Sequence, residues 1–288
     1  MWFCMIRYIM KYHKSLFLLI FFYCYALQGI SLPWHSNTGP KTSTTQLTIN
    51  QKRTAVKKQH MDKEKLILKH LGKSLGFTKH EWNECLQTIK YMKKNAHTFI
   101  SAKSYHDPDI PEELYTSITT LLCNNNIDPN GVNIIVHKTH SDKPYTFAAA
   151  QTRLNYSYQP TFTPFIQQPH ITCNLILYEQ IFNESSSNQC ALIAHEVEHL
   201  CQQHTLMMVI IEQYAQHYLQ YSNAVLKHNH YFQQLKVLHE EQAEIYAALK
   251  DEHVAQALVN LRSEKLYPNC LDEKHYYHLV EINNAWKI

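Results

Sequence analysis

Apolar residues recur at helical spacing between Lys63 and Leu75, at Leu66, Leu68, Leu71 and Leu75, and predict a first helix there. Thr78-Lys-His-Glu81 has the form of a capping box and opens a second helix running to about Asn95. Pro111-Glu-Glu starts a third, with Leu114, Ile118, Leu121 and Leu122 on one side and Asn124-Asn-Asn as its stop. The period then changes. Val132 to Val136, Thr146 to Ala150 and His170 to Leu177 are short, β-branched or apolar runs that predict strands, with a polar, proline-bearing loop from Gln159 to Pro169 before the last. After Asn188 the pattern is helical again, with few breakers before Tyr267-Pro268, and no segment repeats another. Helices flanking a small group of strands predict an α+β fold, mainly helical.

Two N-terminal stretches fall outside this pattern. Ser15 to Leu27 is a short apolar block preceded by Lys11, His13 and Lys14, which makes residues 1–29 a signal peptide or an N-terminal anchor. Residues 30–60 are rich in Ser, Thr, Lys and Gln and predict a polar linker, so that the folded domain is expected over 61–288. Export to a periplasmic or secreted location follows from a cleaved leader, and membrane association follows from a retained one.

Composition narrows the chemistry. With 5 Gly among 288 residues and no GxGxxG or GxxxxGK[ST], phosphate-cradling loops are not expected. The net charge of +3 is spread along the chain, and the densest basic run, from Lys52 to Lys58, lies in the expected linker, so no nucleic-acid partner is predicted. Two of the eight cysteines, Cys4 and Cys24, fall in the leader. The others, Cys85, Cys123, Cys173, Cys190, Cys201 and Cys270, contain no CxxC pair and are open to disulfide formation or to burial as small hydrophobes.

The chemistry concentrates in Ala194-His-Glu-Val-Glu-His-Leu-Cys-Gln-Gln-His204. On a helix His195 and His199 project from one face, where two imidazoles can share a metal ion. Glu196 stands beside the first histidine, within reach of a water rather than of the metal, as hydrolysis by a zinc-activated water and a general base requires. In a chain with 20 His, HExxH arises by composition alone in about one case in twelve, so the surrounding residues must decide. Ala191-Leu-Ile-Ala194 buries the helix. The metzincin pattern is excluded, because Gln202 and Thr205 stand where it needs Gly and His. The third ligand is then expected from a later helix, and His239-Glu-Glu-Gln-Ala-Glu244 offers Glu240 and Glu244 on a shared face, with Glu241 pointing elsewhere. One carboxylate can bind the metal while the other bonds a ligand histidine.

These residues resemble the HtpX-like, Oma-type and CAAX-prenyl-protease-like zinc metallopeptidases, gluzincins of metallopeptidase family forty-eight. The resemblance rests on His195, Glu196 and His199, the further histidine His204, and Glu240-Glu-Gln-Ala-Glu244, which is similar to the family's ExxAD motif. It covers about Glu112 to Ala248, and Tyr145 to Ala149 resembles the family's strand beside the active site, able to pair with substrate backbone. The resemblance implies a zincin-like fold with the sheet beside the HExxH helix, and one Zn2+ held by His195, His199 and Glu240. It makes Glu196 the catalytic base and puts Glu244 in place of the orienting aspartate. Glu198 replaces the family's usual glycine, and Leu206 to Ile211 is an apolar run too short to span a bilayer.

His204 is a further candidate for contact with the site, in its second layer of residues, and His275 or Tyr277 for donating to the tetrahedral oxyanion. The function expected is that of a zinc metalloendopeptidase acting on protein or peptide substrates in cell-envelope quality control. The alternative is a non-catalytic zinc-binding chaperone or assembly factor derived from a peptidase.

Overall fold

The computed structural model describes residues 48–100, 105–138, 147–155, 170–263 and 273–287. The expected leader, the expected linker up to residue 47, Tyr145, Thr146 of the expected second strand, the loop from Gln159 to Pro169, and Cys4, Cys24 and Cys270 lie outside them.

The first helix, α1, spans Ile49–Leu75 and corrects the expected linker, since its first three turns fall within 30–60. Thr48 and Gln51 form a reciprocal capping box at its start, and Lys, Gln and Ala are good helix formers once an end is fixed. Buried Val56 and His60 dock this half of α1, and Arg53 Nη2 donates to the carbonyl of Leu249 at 2.5 Å. Gly76 ends α1 at φ +89°, a conformation only glycine adopts readily. Gly72 lies so close to Trp82 that an added Cβ would stand 2.4 Å from the indole. Helix α2 (Lys79–Phe99) starts at the predicted Thr78–Glu81 box, and α3 (Glu112–Asn124) follows Pro111 as expected.

Strands β1 (Val132–His137), β2 (Ala148–Asn155) and β3 (His170–Tyr178) form one sheet in the order β1-β3-β2. β3 is central, parallel to β1 and antiparallel to β2, with Ala150 opposite Leu175. β2 runs five residues beyond the predicted end, because Thr152 and Leu154 are buried under the helices and continue the alternation.

Among the described residues the expected near-continuous helical run after Asn188 is divided into α4 (Ser186–Cys201), α5 (His204–Leu219), α6 (Asn223–His228), α7 (His230–Ala248) and α8 (Glu252–Ser263), and α9 (Glu273–Trp286) lies beyond it. Neither glycine nor proline marks the first two breaks; Gln203 and Gln220 take φ of 54° and 52° instead. The protein is thus α+β and mainly helical, and among the described residues no helix is long and apolar enough to cross a membrane.

Helix α4 is the centre of the packing. It lies against β2 and β3 on one side and against α7 and α8 on the other, through fully buried Ala191, Ile193 and Val197. A second apolar cluster joins α1, α2, α5 and α7 through Leu71, Met92, Ile210, Tyr214 and Phe232. Half-buried Cys173 of β3 touches both clusters. Among the described residues Cys85, Cys123, Cys173, Cys190 and Cys201 are free thiols.

Candidate metal centre

Ser185 caps α4 by accepting from the Asn188 N–H, and the helix then runs through the predicted motif without interruption. His195 and His199 project one above the other, their rings edge to face at 4.9 Å between centroids. Helix α7 crosses this face and delivers Glu240. The His195 and His199 Nε2 atoms are 3.2 Å apart, and Glu240 Oε2 stands 3.3 Å from the first and 3.5 Å from the second.

This triangle can be tested against the chemistry of its donors. Ligand atoms about 2.0–2.1 Å from a tetrahedral zinc ion lie about 3.3–3.4 Å from one another. The three distances match, and two imidazoles with one carboxylate is a known catalytic zinc set. His195, His199 and Glu240 can therefore hold a metal ion.

The electrostatics agree. Burial opposes a charge on His195, but Glu240, Glu196 and Glu244 outweigh it and raise its pKa to about 9. Burial also opposes ionisation of Glu240, yet the two histidines hold its carboxyl well below the usual range. Both histidines are buried, whereas about 40% of the Glu240 side chain remains accessible at the cleft wall.

Glu196 faces the same cleft, with Oε1 3.9 Å from His195 Nε2. Its Oε2 accepts the backbone N–H of Ala150 at 2.7 Å, so the edge of β2 fixes the carboxylate. Burial raises the Glu196 pKa, only partly offset by His195 and His199, which makes it a stronger base than an exposed glutamate. The cleft has a volume of about 760 Å3, bounded by Ala148 to Thr152 on one side and by Met208, Val209 and Val237 on another.

His204 reaches the centre by a route that a continuous helix would not allow. Five residues along an α-helix is about 140° around the axis from His199. The break at Gln203 starts a new helix, and His204 Nδ1 comes to 3.1 Å from His199 Nδ1.

Glu244 is fully buried, but its bonds run to α8 and α9. Its carboxylate accepts from Arg262 Nε at 3.1 Å and Nη2 at 3.2 Å, and pairs closely with His275 Nε2. This corrects the reading of His275 as an oxyanion donor: its side chain is buried and bound to Glu244, away from the cleft. Tyr277, two residues on, points to the outer face of α9, where it is 57% exposed and donates to Glu273 at 3.0 Å. Glu198 is buried and ion-paired with Lys250, and Glu241 pairs with Lys63 at 2.7 Å, outside the cleft.

Comparison with protein-family models, with curated proteins and with solved structures found no match to this chain. The geometry of the centre therefore carries the functional reading.

Two participants went unread in the sequence. The Ala150 N–H carries no side-chain signature. Arg262 lies far along the chain from the motif.

Proposed function

We propose that this protein is a zinc-dependent metalloendopeptidase of the gluzincin type, with His195, His199 and Glu240 holding one Zn2+ and Glu196 as the general base. The observation that carries the reading is a part-buried carboxylate, oriented by a backbone N–H, beside a His-His-Glu triangle, both opening on one cleft. A zinc ion bound there supplies the Lewis acidity that polarises a carbonyl and lowers the pKa of water towards about 7.

The chain's own residues account for the remaining steps. Glu196 accepts the proton of the attacking water and returns it to the leaving amine. The Ala150 N–H holds that carboxylate in one orientation through both transfers. Because the Ala150 N–H points away from β3, strand alternation turns the backbone groups of Ala148 and Thr152 the same way. An extended peptide pairing along this edge lays its backbone past Glu196 and His195. Leu192, Met208 and Val209 give the cleft an apolar wall for side chains. The N-terminal leader supports export, with action on envelope proteins, free or membrane-associated.

Glu196→Gln keeps the side chain's size and removes its basicity. It should leave one zinc per chain and lower the cleavage of casein by about 10²- to 10⁴-fold. Undiminished cleavage would sink the assignment of Glu196. Bound zinc without cleavage even in the parent protein would favour the non-catalytic zinc-binding alternative.

A further inference from the structure

The basic run expected in a linker lies instead on a docked helix. Helix α1 carries eight Lys and Arg against two acids, Asp62 and Glu64. Residues 1–75 together hold 12 basic residues and 2 acidic ones, whereas residues 76–288 hold 15 and 22. The net +3 is therefore +10 followed by −7, which corrects the expectation that it is spread along the chain. Charge divided in this way favours a partner surface of the opposite sign.

The structure sorts these charges into two sets. Four are engaged by the fold: Arg53 donates to the Leu249 carbonyl, Lys52 to the Glu281 carbonyl at 3.4 Å, Lys63 pairs with Glu241 at 2.7 Å, and the Lys57 ammonium lies 5.9 Å from the centre of the Tyr246 ring. Glu64 turns inward as well, 3.8 Å from His239. The other four, Lys58, Lys65, Lys69 and Lys73, are exposed. Their helical spacing puts them within about 80° of arc along about 22 Å of α1. Asp62 is the one acid in this stripe, 3.9 Å from Lys65, and a solvent-exposed pair of that kind contributes little. Among the described residues no ion pair or hydrogen bond engages the ammonium groups of Lys58, Lys69 and Lys73. Met61 and Leu66 flank the stripe, 56% and 57% exposed. Buried Val56, Ile67, Leu71 and Leu75 hold the opposite side of α1 to the body, so the stripe is presented on a fixed helix.

We propose that the outer face of α1 docks on an anionic lipid bilayer, with Lys58, Lys65, Lys69 and Lys73 among the phosphate headgroups and Met61 and Leu66 reaching to the acyl boundary. Lysines alone fit any polyanion. Large apolar side chains held out beside them fit the headgroup–acyl boundary and gain nothing from a phosphodiester backbone. The apolar block from Ser15 to Leu27 supports the same partner, since only 20 residues of sequence separate it from Thr48. None of the six docking residues lines the cleft, so the contact uses no group assigned to zinc or to catalysis. The proposal is thus independent of the peptidase reading.

The test is partitioning of the full chain onto sedimented vesicles, either of phosphatidylcholine alone or with about 30% phosphatidylglycerol. A lysine near such an anionic surface contributes about fivefold. Changing Lys58, Lys65, Lys69 and Lys73 together to Gln should therefore weaken binding to the anionic vesicles by about 100-fold or more. Binding to the neutral vesicles, which the apolar block alone can support, should not change. Changing the same four to Arg keeps the charge and should keep the parent's binding. Met61→Ser with Leu66→Ser should weaken binding to the anionic vesicles several-fold. All six side chains are exposed, so each variant should denature at the parent's urea concentration. A Gln variant that binds anionic vesicles as the parent does would overturn the proposal, and so would a parent with no preference for anionic over neutral vesicles. Tighter binding to duplex DNA than to anionic vesicles at the same ionic strength, unmoved by the two Ser substitutions, would assign the stripe to nucleic acid and overturn it as well.

Discussion

Helix α7 presents two carboxylates one turn apart, and their surroundings are opposite. Glu244 is sealed among α7, α8 and α9, with Arg262 and His275 on its oxygens. Glu240 stands at a cleft wall, partly accessible, and meets two imidazole nitrogens that are acceptors whenever the rings are neutral and turned for a metal. The first charge is compensated within the fold, by a guanidinium that is always protonated. The second is compensated by His195 only while that ring is protonated, or by a cation brought from outside. The two glutamates read as equivalent in the sequence, and the identity of their neighbours separates a structural pair from a candidate metal centre.

The largest effect should come from breaking the sealed pair. Glu244→Ala strands the Arg262 charge in the interior, and removing one partner of a buried pair destabilises by about 3–5 kcal/mol. Urea denaturation of the metal-free protein measures this directly. There is a pH signature as well. Burial opposes ionisation of Glu244, but His275 and Arg262 hold its folded pKa below the unfolded value. Its contribution to stability is therefore complete above the unfolded pKa of about 4.5 and is lost as pH falls through the folded value. If Glu244→Ala denatures at the same urea concentration as the parent, the contrast between the two carboxylates fails.

Glu240→Ala should act in the other direction. Its partners are the buried rings of His195 and His199, which can return to the neutral form once the carboxylate is gone, whereas Arg262 cannot, so the metal-free variant should lose less stability than Glu244→Ala. Its zinc affinity should fall by at least about 100-fold, the upper end of what loss of an outer partner causes, because a ligand itself is gone. Unchanged zinc affinity would remove Glu240 from the site and with it the His-His-Glu triangle.

How much of this was legible depends on distance along the chain and on punctuation. His195, Glu196 and His199 could be read because helical spacing alone puts them on one face. Glu240 could be read because a second compact motif named it, although only the fold distinguishes it from Glu244. His204 needed the break at Gln203, and a glutamine at φ 54° leaves no mark that a glycine would have left. The first turns of α1 read as linker in the sequence because Lys, Gln and Thr serve both states equally well. The decisive facts there are buried Val56 and His60, and burial is a property of the partner helices. Glu64 meets His239 across 175 residues of chain, a separation at which periodicity carries no information.

The smallest effect is expected from a residue that shared a segment with the sealed pair and nothing else. His275 and Tyr277 were both candidates for stabilising the oxyanion. α9 turns His275 inward to Glu244 and Tyr277 outward to Glu273 on its own surface. Tyr277→Phe deletes one exposed hydroxyl bond and should leave denaturation, zinc affinity and casein cleavage unchanged. Cleavage is the sensitive readout, since an oxyanion donor contributes about 10²- to 10³-fold. A loss on that scale with zinc retained would mean that α9 turns its outer face to the cleft in the working protein. The contact between His275 and Glu244 would then have to open during turnover, and the sealed carboxylate would belong to the active site after all.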